Sequence, residues 1–161
     1  MENNRPKNHN RGDRQRNKPP NKHNGIYVTG RVDGIAVNFL VDTGSSVTII
    51  STQTYDRINE KCPDNGLEPV DFPLAGVDGF DLDALGKTTR CITLGNTGRR
   101  QQIVVANVST DGILGIDFLR QNRCEVCLVR QVLRMDGEEI LCWSGDERQN
   151  VCRVEIKKTE Y

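Results

Sequence analysis

Residues 37–50 read VNFLVDTGSSVTII. One acid, Asp42, interrupts a β-branched apolar run and is followed at once by Thr43, Gly44 and Ser45. Ionising a carboxylate among apolar neighbours is costly. The runs on either side have strand composition, and Thr-Gly-Ser between them reads as a turn at a strand end. Asp-Thr-Gly alone is a weak signal, because a plain turn uses the same residues. Its place between two β-runs puts the carboxylate at the mouth of a packed element, where it can do chemistry.

Working outward, IYVTGRV (26–32) and IAVNFLV (35–41) flank Asp33-Gly34. Asp-Gly supplies the positive φ of a tight hairpin turn. VTIIS (47–51) is a further strand, and TQTYDRINE (52–60) has helical composition with Ser51 or Thr52 as N-cap. KCPDNGLEP (61–69) is a loop. The stretch 69–95 reads as two extended arms around Gly76-Val77-Asp78-Gly79, and Gly95–Gly98 is another turn. RRQQIVVANV (99–108) is a strand; DGILGIDFLRQ (111–121) begins extended and turns helical. CEVCLV, QVLRM and EEILCW are three short strands, the last two joined at Asp136-Gly137. Many short strands with Gly-rich turns and one or two short helices predict an all-β domain, barrel or sandwich.

Three segments are expected: a disordered basic linker over 1–24, a folded domain over 25–143, and a polar tail or linker over 144–161. The first holds seven Lys/Arg against Glu2 and Asp13, while the whole chain is neutral, so the remainder is net acidic. With no large apolar residue after Met1, residues 1–24 cannot offset the entropy of ordering. They read first as solvated linker and second as an arm making weak phosphate contacts with nucleic acid. The acidic balance of the rest and the sparse aromatics argue against a dedicated nucleic-acid binder. No membrane span and no secretory h-region is visible, so the six cysteines are expected as reduced thiols.

What can one carboxylate do? Two within hydrogen-bond reach share a proton, since like charges that close cannot both ionise. The ionised member takes a proton from water and the protonated one donates to a carbonyl oxygen. The chain has no second Asp-Thr-Gly or Asp-Ser-Gly; Thr110-Asp111-Gly112 has the wrong order, and the other Asp-Gly pairs at 33, 78 and 136 sit at predicted turns. The partner carboxylate is therefore expected from a second copy across a two-fold axis.

FLVDTGSS followed some seventy residues later by DGILGIDFL resembles the retropepsins, the retroviral-type aspartic proteases, and in particular those within Gag-Pol polyproteins of long-terminal-repeat retrotransposons. The resemblance implies an all-β, closed-barrel subunit with one short helix near the C-terminal half, assembled as a two-fold homodimer. It implies Asp42 as the catalytic residue, within an active-site loop of Thr43, Gly44 and Ser45. Ile113, Leu114 and Gly115 would support that loop from behind. Ala75, Gly76, Val77, Asp78, Gly79 and Phe80 would form the flap that closes over an extended polypeptide substrate. Ile116 stands where retroviral members carry Arg. The implied activity is aspartic endopeptidase, with no cofactor and no metal, in the cytoplasm or within retroelement particles. The rival reading is a catalytically silent, domesticated dimerisation or peptide-binding module of the same fold.

Other candidate sites fail on spacing. Cys124-Glu-Val-Cys127 is half a zinc site, and both histidines lie far away in the basic segment. Asp81-Leu-Asp83 starts like a calcium loop but places Leu85 and Ile92 where oxygen ligands are needed. Lys87, Arg90, Arg99 and Arg100 are expected on solvated strand faces.

Overall fold

The protein is described here by a computed structural model covering residues 25–74 and 82–145. β1 (Ile26–Val32) and β2 (Ile35–Val41) form the expected hairpin, Val32 facing Ile35. Asp33 at φ 47° and Gly34 at φ 84° make the turn, the left-handed pair that matches strand twist. The chain continues through β3 (Ile49–Ser51) and α1 (Thr52–Lys61) to β4 (Ala84–Leu94) and β5 (Thr97–Ala106). β6 (Gly112–Leu114), α2 (Ile116–Gln121), β7 (Glu125–Cys127), β8 (Val132–Met135) and β9 (Glu138–Ser144) complete it.

Strands β2, β6, β3, β5, β4 and β1 are hydrogen-bonded in that order, and β1 returns to β2. The result is a closed six-strand barrel, with β9, β8 and β7 continuing outward from β1. Closure removes the free edges that would otherwise invite pairing with other chains. The side chains inside are period-two sets from each strand: Val28 and Val32, Val37 and Phe39, Ile92 and Leu94, Ile103 and Val105, all at most 1% exposed. Phe118 of α2 and Ile58 of α1 seal this core. The opposite face of β5, Val104 and Ala106, packs with Ile49 in a second cluster beside Val70, Phe72, Leu74 and Leu82. A strand buried on both faces needs an unbroken apolar run, which IVVA over 103–106 supplies.

The short helix implied near the C-terminal half is α2, and the helical composition of 52–60 corresponds to α1. Ser51 caps α1, its side chain accepting from Thr54 N–H at 3.1 Å. The expected extended arm over 69–74 carries no regular strand, only a bridge between Glu68 and Lys87 just before it. Its backbone is held instead by Phe72 and Val70 packing sideways.

The reading of Arg90 as solvent-facing is corrected. It is 5% exposed and joined to Asp33 at 2.8 Å and Asp64 at 3.0 Å, with the Cys62 carbonyl accepting at 2.6 Å. Period-two alternation places its side chain inward, and the β1–β2 turn and the segment after α1 supply the acceptors that make burial tolerable. Lys87 is also mostly covered and pairs with Asp71 at 3.3 Å; Arg99 and Arg100 are exposed. The basic linker over 1–24, the flap over 75–80 and the tail from 146 onward lie outside the described residues.

Candidate active site

Asp42 directly follows β2, and its geometry comes from a strand inserted beside it. β6 runs parallel to β2, with Val41 facing Leu114, and antiparallel to β3, with Ile49 facing Ile113. The 42–48 connection from β2 to β3 therefore arches over the end of β6. Gly112 lets β6 fit: a methyl group there would stand 2.8 Å from the Phe39 ring and 3.2 Å from the Ile49 carbonyl oxygen.

Asp42 N–H donates to the Leu114 carbonyl at 3.1 Å. Its Oδ1 accepts from Gly44 N–H at 2.9 Å, which orients the carboxylate. Ser45 N–H closes the turn onto the Asp42 carbonyl at 3.2 Å, and the Ser45 carbonyl accepts from Ile116 N–H at 2.8 Å. The Ser45 hydroxyl donates to the Val47 carbonyl at 2.7 Å. Thr43 and Gly44 are exposed, while Asp42 is half-buried.

Asp42 opens into a groove of about 660 Å³. Leu40, Val47, Ile49, Leu74, Leu82 and Ile113 make its apolar wall, and Ser45, Ser46, Ser109 and Thr110 its hydroxyl side. Among the described residues lining it, Asp42 is the one acid. Leu74 and Leu82 are joined by a backbone hydrogen bond of 2.8 Å, so the chain on either side of segment 75–81 meets at the groove rim. Of the residues singled out from sequence, the structure brings together Asp42, Thr43, Gly44 and Ser45 with Ile113, Leu114 and Gly115. Ile113 lines the groove, Leu114 takes the Asp42 hydrogen bond, and Gly115 lies against Val47 and Ser45.

The sequence reading missed Asp117 and Thr48. Asp117, in the first turn of α2, accepts from the Thr48 hydroxyl at 2.7 Å and from Thr48 N–H at 3.2 Å. The signal available was an acid at a helix start; nothing local pointed to Thr48. Among the described residues, no group of three or more His, Cys, Asp or Glu side chains is placed to hold a metal ion. Burial and the nearby Asp136 charge push the Cys124 thiol up to about 11, so it is a poor thiolate ligand at neutral pH.

A carboxylate on a tightly held loop, opening into a groove with apolar and hydroxyl sides, suits water-mediated attack on a bound extended chain. The profile of a family described as aspartyl protease matches residues 28–118, more than half of the chain. Among solved structures, the chain is similar to the retroviral protease-like domain of Ddi1 from Leishmania major, at 18% identity and a TM-score of 0.60, over 76% of this chain and 93% of that one. It is also similar to EIAV protease complexed with the inhibitor HBY-793, at 21% identity and a TM-score of 0.54, over 68% of this chain and 98% of that one. At those identities the likeness is one of fold: a retropepsin-like barrel.

Proposed function

We propose, since the chain belongs to the aspartyl protease family, that it is an endopeptidase whose active site forms when two copies bring their Asp42 carboxylates together. The observation that carries this reading is Asp42 as the one acid among the described residues lining the groove, flanked by the exposed Thr43 and Gly44. One carboxylate cannot take and give a proton in the same step; two sharing a proton can. The ionised Asp42 takes a proton from a water as its oxygen bonds to the peptide carbonyl carbon. The protonated Asp42 of the second copy donates to the carbonyl oxygen. The tetrahedral species then collapses: the Asp42 that took the water proton gives it to the leaving nitrogen as the C–N bond breaks, and the other Asp42 takes back a proton from a hydroxyl of that species, which restores the shared-proton pair. The substrate lies extended along the groove, its apolar side chains against Leu40, Val47 and Ile113.

The pairing of FLVDTGSS with DGILGIDFL supports a retrotransposon Gag-Pol polyprotein as natural substrate, in the cytoplasm or in retroelement particles. Coexpression with such a polyprotein should yield discrete products that Asp42→Asn abolishes.

The direct test incubates wild type and Asp42→Asn with a peptide library between about pH 4 and 7. Cleavage at apolar positions is expected from wild type alone, blocked by a statine-type inhibitor, with specific activity falling on dilution as copies separate. Equal cleavage by both proteins, or full activity from a monomer, would overturn the shared-proton reading. Peptide binding without cleavage, unaffected by Asp42→Asn, would favour the non-catalytic module.

A further inference from the structure

We propose that Asp117 is a positioning residue for the Asp42 loop, acting through Thr48; its kinetic consequence rests on the protease reading above. The loop is held at its start, middle and end by the consecutive residues Leu114 to Asp117, and Val104 N–H of β5 adds a bond to the Thr48 carbonyl at 3.0 Å. Leu114 takes the Asp42 N–H, Ile116 donates to the Ser45 carbonyl, and Asp117 takes both donors of Thr48. Thr48 has no exposure to solvent. Because its hydroxyl donates to Asp117 Oδ1, its oxygen is free to accept, and Gly115 N–H donates to it at 3.2 Å. Asp117 thus fixes the hydroxyl that ties the loop end back to Gly115, between β6 and α2.

The carboxylate is itself pinned. Oδ2 accepts from Gln101 Nε2 at 2.9 Å as well as from Thr48 N–H, and Oδ1 also accepts from Phe118 N–H at 2.7 Å. Four donors converge on two oxygens, which suits a carboxylate and not an amide. In Asp117→Asn, the introduced NH₂ group would face the Thr48 and Gln101 donors. Gln101 offers only partial repair. Its Oε1 is buried without a partner, so turning the Gln101 amide over would let it accept from that NH₂ group, at the loss of the Gln101 Nε2 bond to the Gln102 carbonyl at 3.0 Å. Thr48 N–H would still lack an acceptor.

This hold decides how well the Asp42 carboxylates of two copies can share a proton. A displacement of order 1 Å at a reacting group lowers rate about 100-fold. The experiment compares full-length wild type, Asp117→Ala, Asp117→Asn, Thr48→Val and Asp117→Ala with Thr48→Val, with kcat counted per site titrated by a statine-type inhibitor. Expected is a kcat loss of about 10- to 100-fold in Asp117→Ala, with KM within about threefold and a displaced pH profile of kcat/KM. Asp117→Asn should fall between that variant and wild type. The double variant should be no worse than the poorer single one, because both changes cut one connection. Amide exchange over residues 42–48 should quicken in each variant. That readout needs no catalysis, so it decides the structural hold even where wild type proves inactive and the protease reading itself fails. Unchanged kcat per titrated site with unchanged exchange, alongside an active wild type, overturns the proposal alone. Should Asp117→Ala not fold, Asp117→Asn and Thr48→Val decide by the same criteria.

Discussion

Gly115→Ala probes the floor beneath the Asp42 loop with a single methyl group. Gly115 sits at φ −86° and ψ 176°, an extended conformation that alanine adopts freely, so backbone strain contributes nothing. The effect is steric. A Cβ on Gly115 would lie 2.5 Å from the Val47 carbonyl carbon, closer still to its oxygen, and 3.0 Å from the Ser45 carbonyl oxygen. These are backbone atoms of the loop, and no rotamer change relieves them. Restoring ordinary carbon–carbon separations of about 3.5 Å requires the loop to rise by about 1 Å. Overpacking of this kind costs about 1–3 kcal/mol. The lift also strains the Gly115 N–H bond to Thr48 Oγ1 at 3.2 Å and the Ile116 N–H bond to the Ser45 carbonyl at 2.8 Å, each worth about 1 kcal/mol. A total of about 2–4 kcal/mol is expected from chemical denaturation. kcat/KM should fall about 100-fold, because the lifted residues carry Asp42. Gly98→Ala serves as control, since its methyl group meets only the Cys91 and Thr93 side chains, at 3.1 and 3.3 Å. Gly115→Ala with stability within about 0.5 kcal/mol of wild type and full activity would refute the steric reasoning.

Asp42→Asn should abolish cleavage yet leave thermal stability within about 0.5 kcal/mol, because the amide oxygen can still accept from Gly44 N–H; a large melting shift would contradict this. Arg90→Met should destabilise by about 3–5 kcal/mol, since Asp33 and Asp64 lose their buried cation, as urea denaturation will report. Burial raises the Asp64 carboxyl, but hydrogen bonds from Tyr55, Gly66 N–H and Thr88 and the Arg90 charge outweigh it and hold it below the usual carboxylate range. A depressed folded value contributes stability above the unfolded value that is lost as pH falls through the folded one. Wild type should therefore lose stability on acidification below about pH 4, and Arg90→Met should show a shallower loss; an identical slope would remove Arg90 from the account. Burial pushes the Cys124 and Cys142 thiols up to about 11. Both should resist alkylation at neutral pH in the native protein and react after unfolding, as mass spectrometry of labelled peptides will show.

Much was legible from sequence because the governing interactions are local. Asp33-Gly34 and Asp136-Gly137 fix their hairpins through left-handed backbone at adjacent residues. Ser51 caps α1 through an atom three residues away, and β-branched apolar runs mark β1, β2 and β3. The Asp42 loop was visible as a break in such a pattern. Three features were not. Arg90 reads as one more charge on a strand until Asp33, 57 residues distant, and Asp64, across the α1 loop, converge on it. Asp117 reads as an ordinary first-turn acid until Thr48, 69 residues away, turns its donors toward it. The insertion of β6 between β2 and β3 mixes parallel and antiparallel pairing, which no turn signal encodes. Turn chemistry and side-chain period act over a few residues, so the sequence alone determined the elements and the acid at their break. Pairing between segments far apart in the chain is settled only when the whole core closes and each buried polar group must find its partner, so tertiary structure alone decided what holds that acid in place.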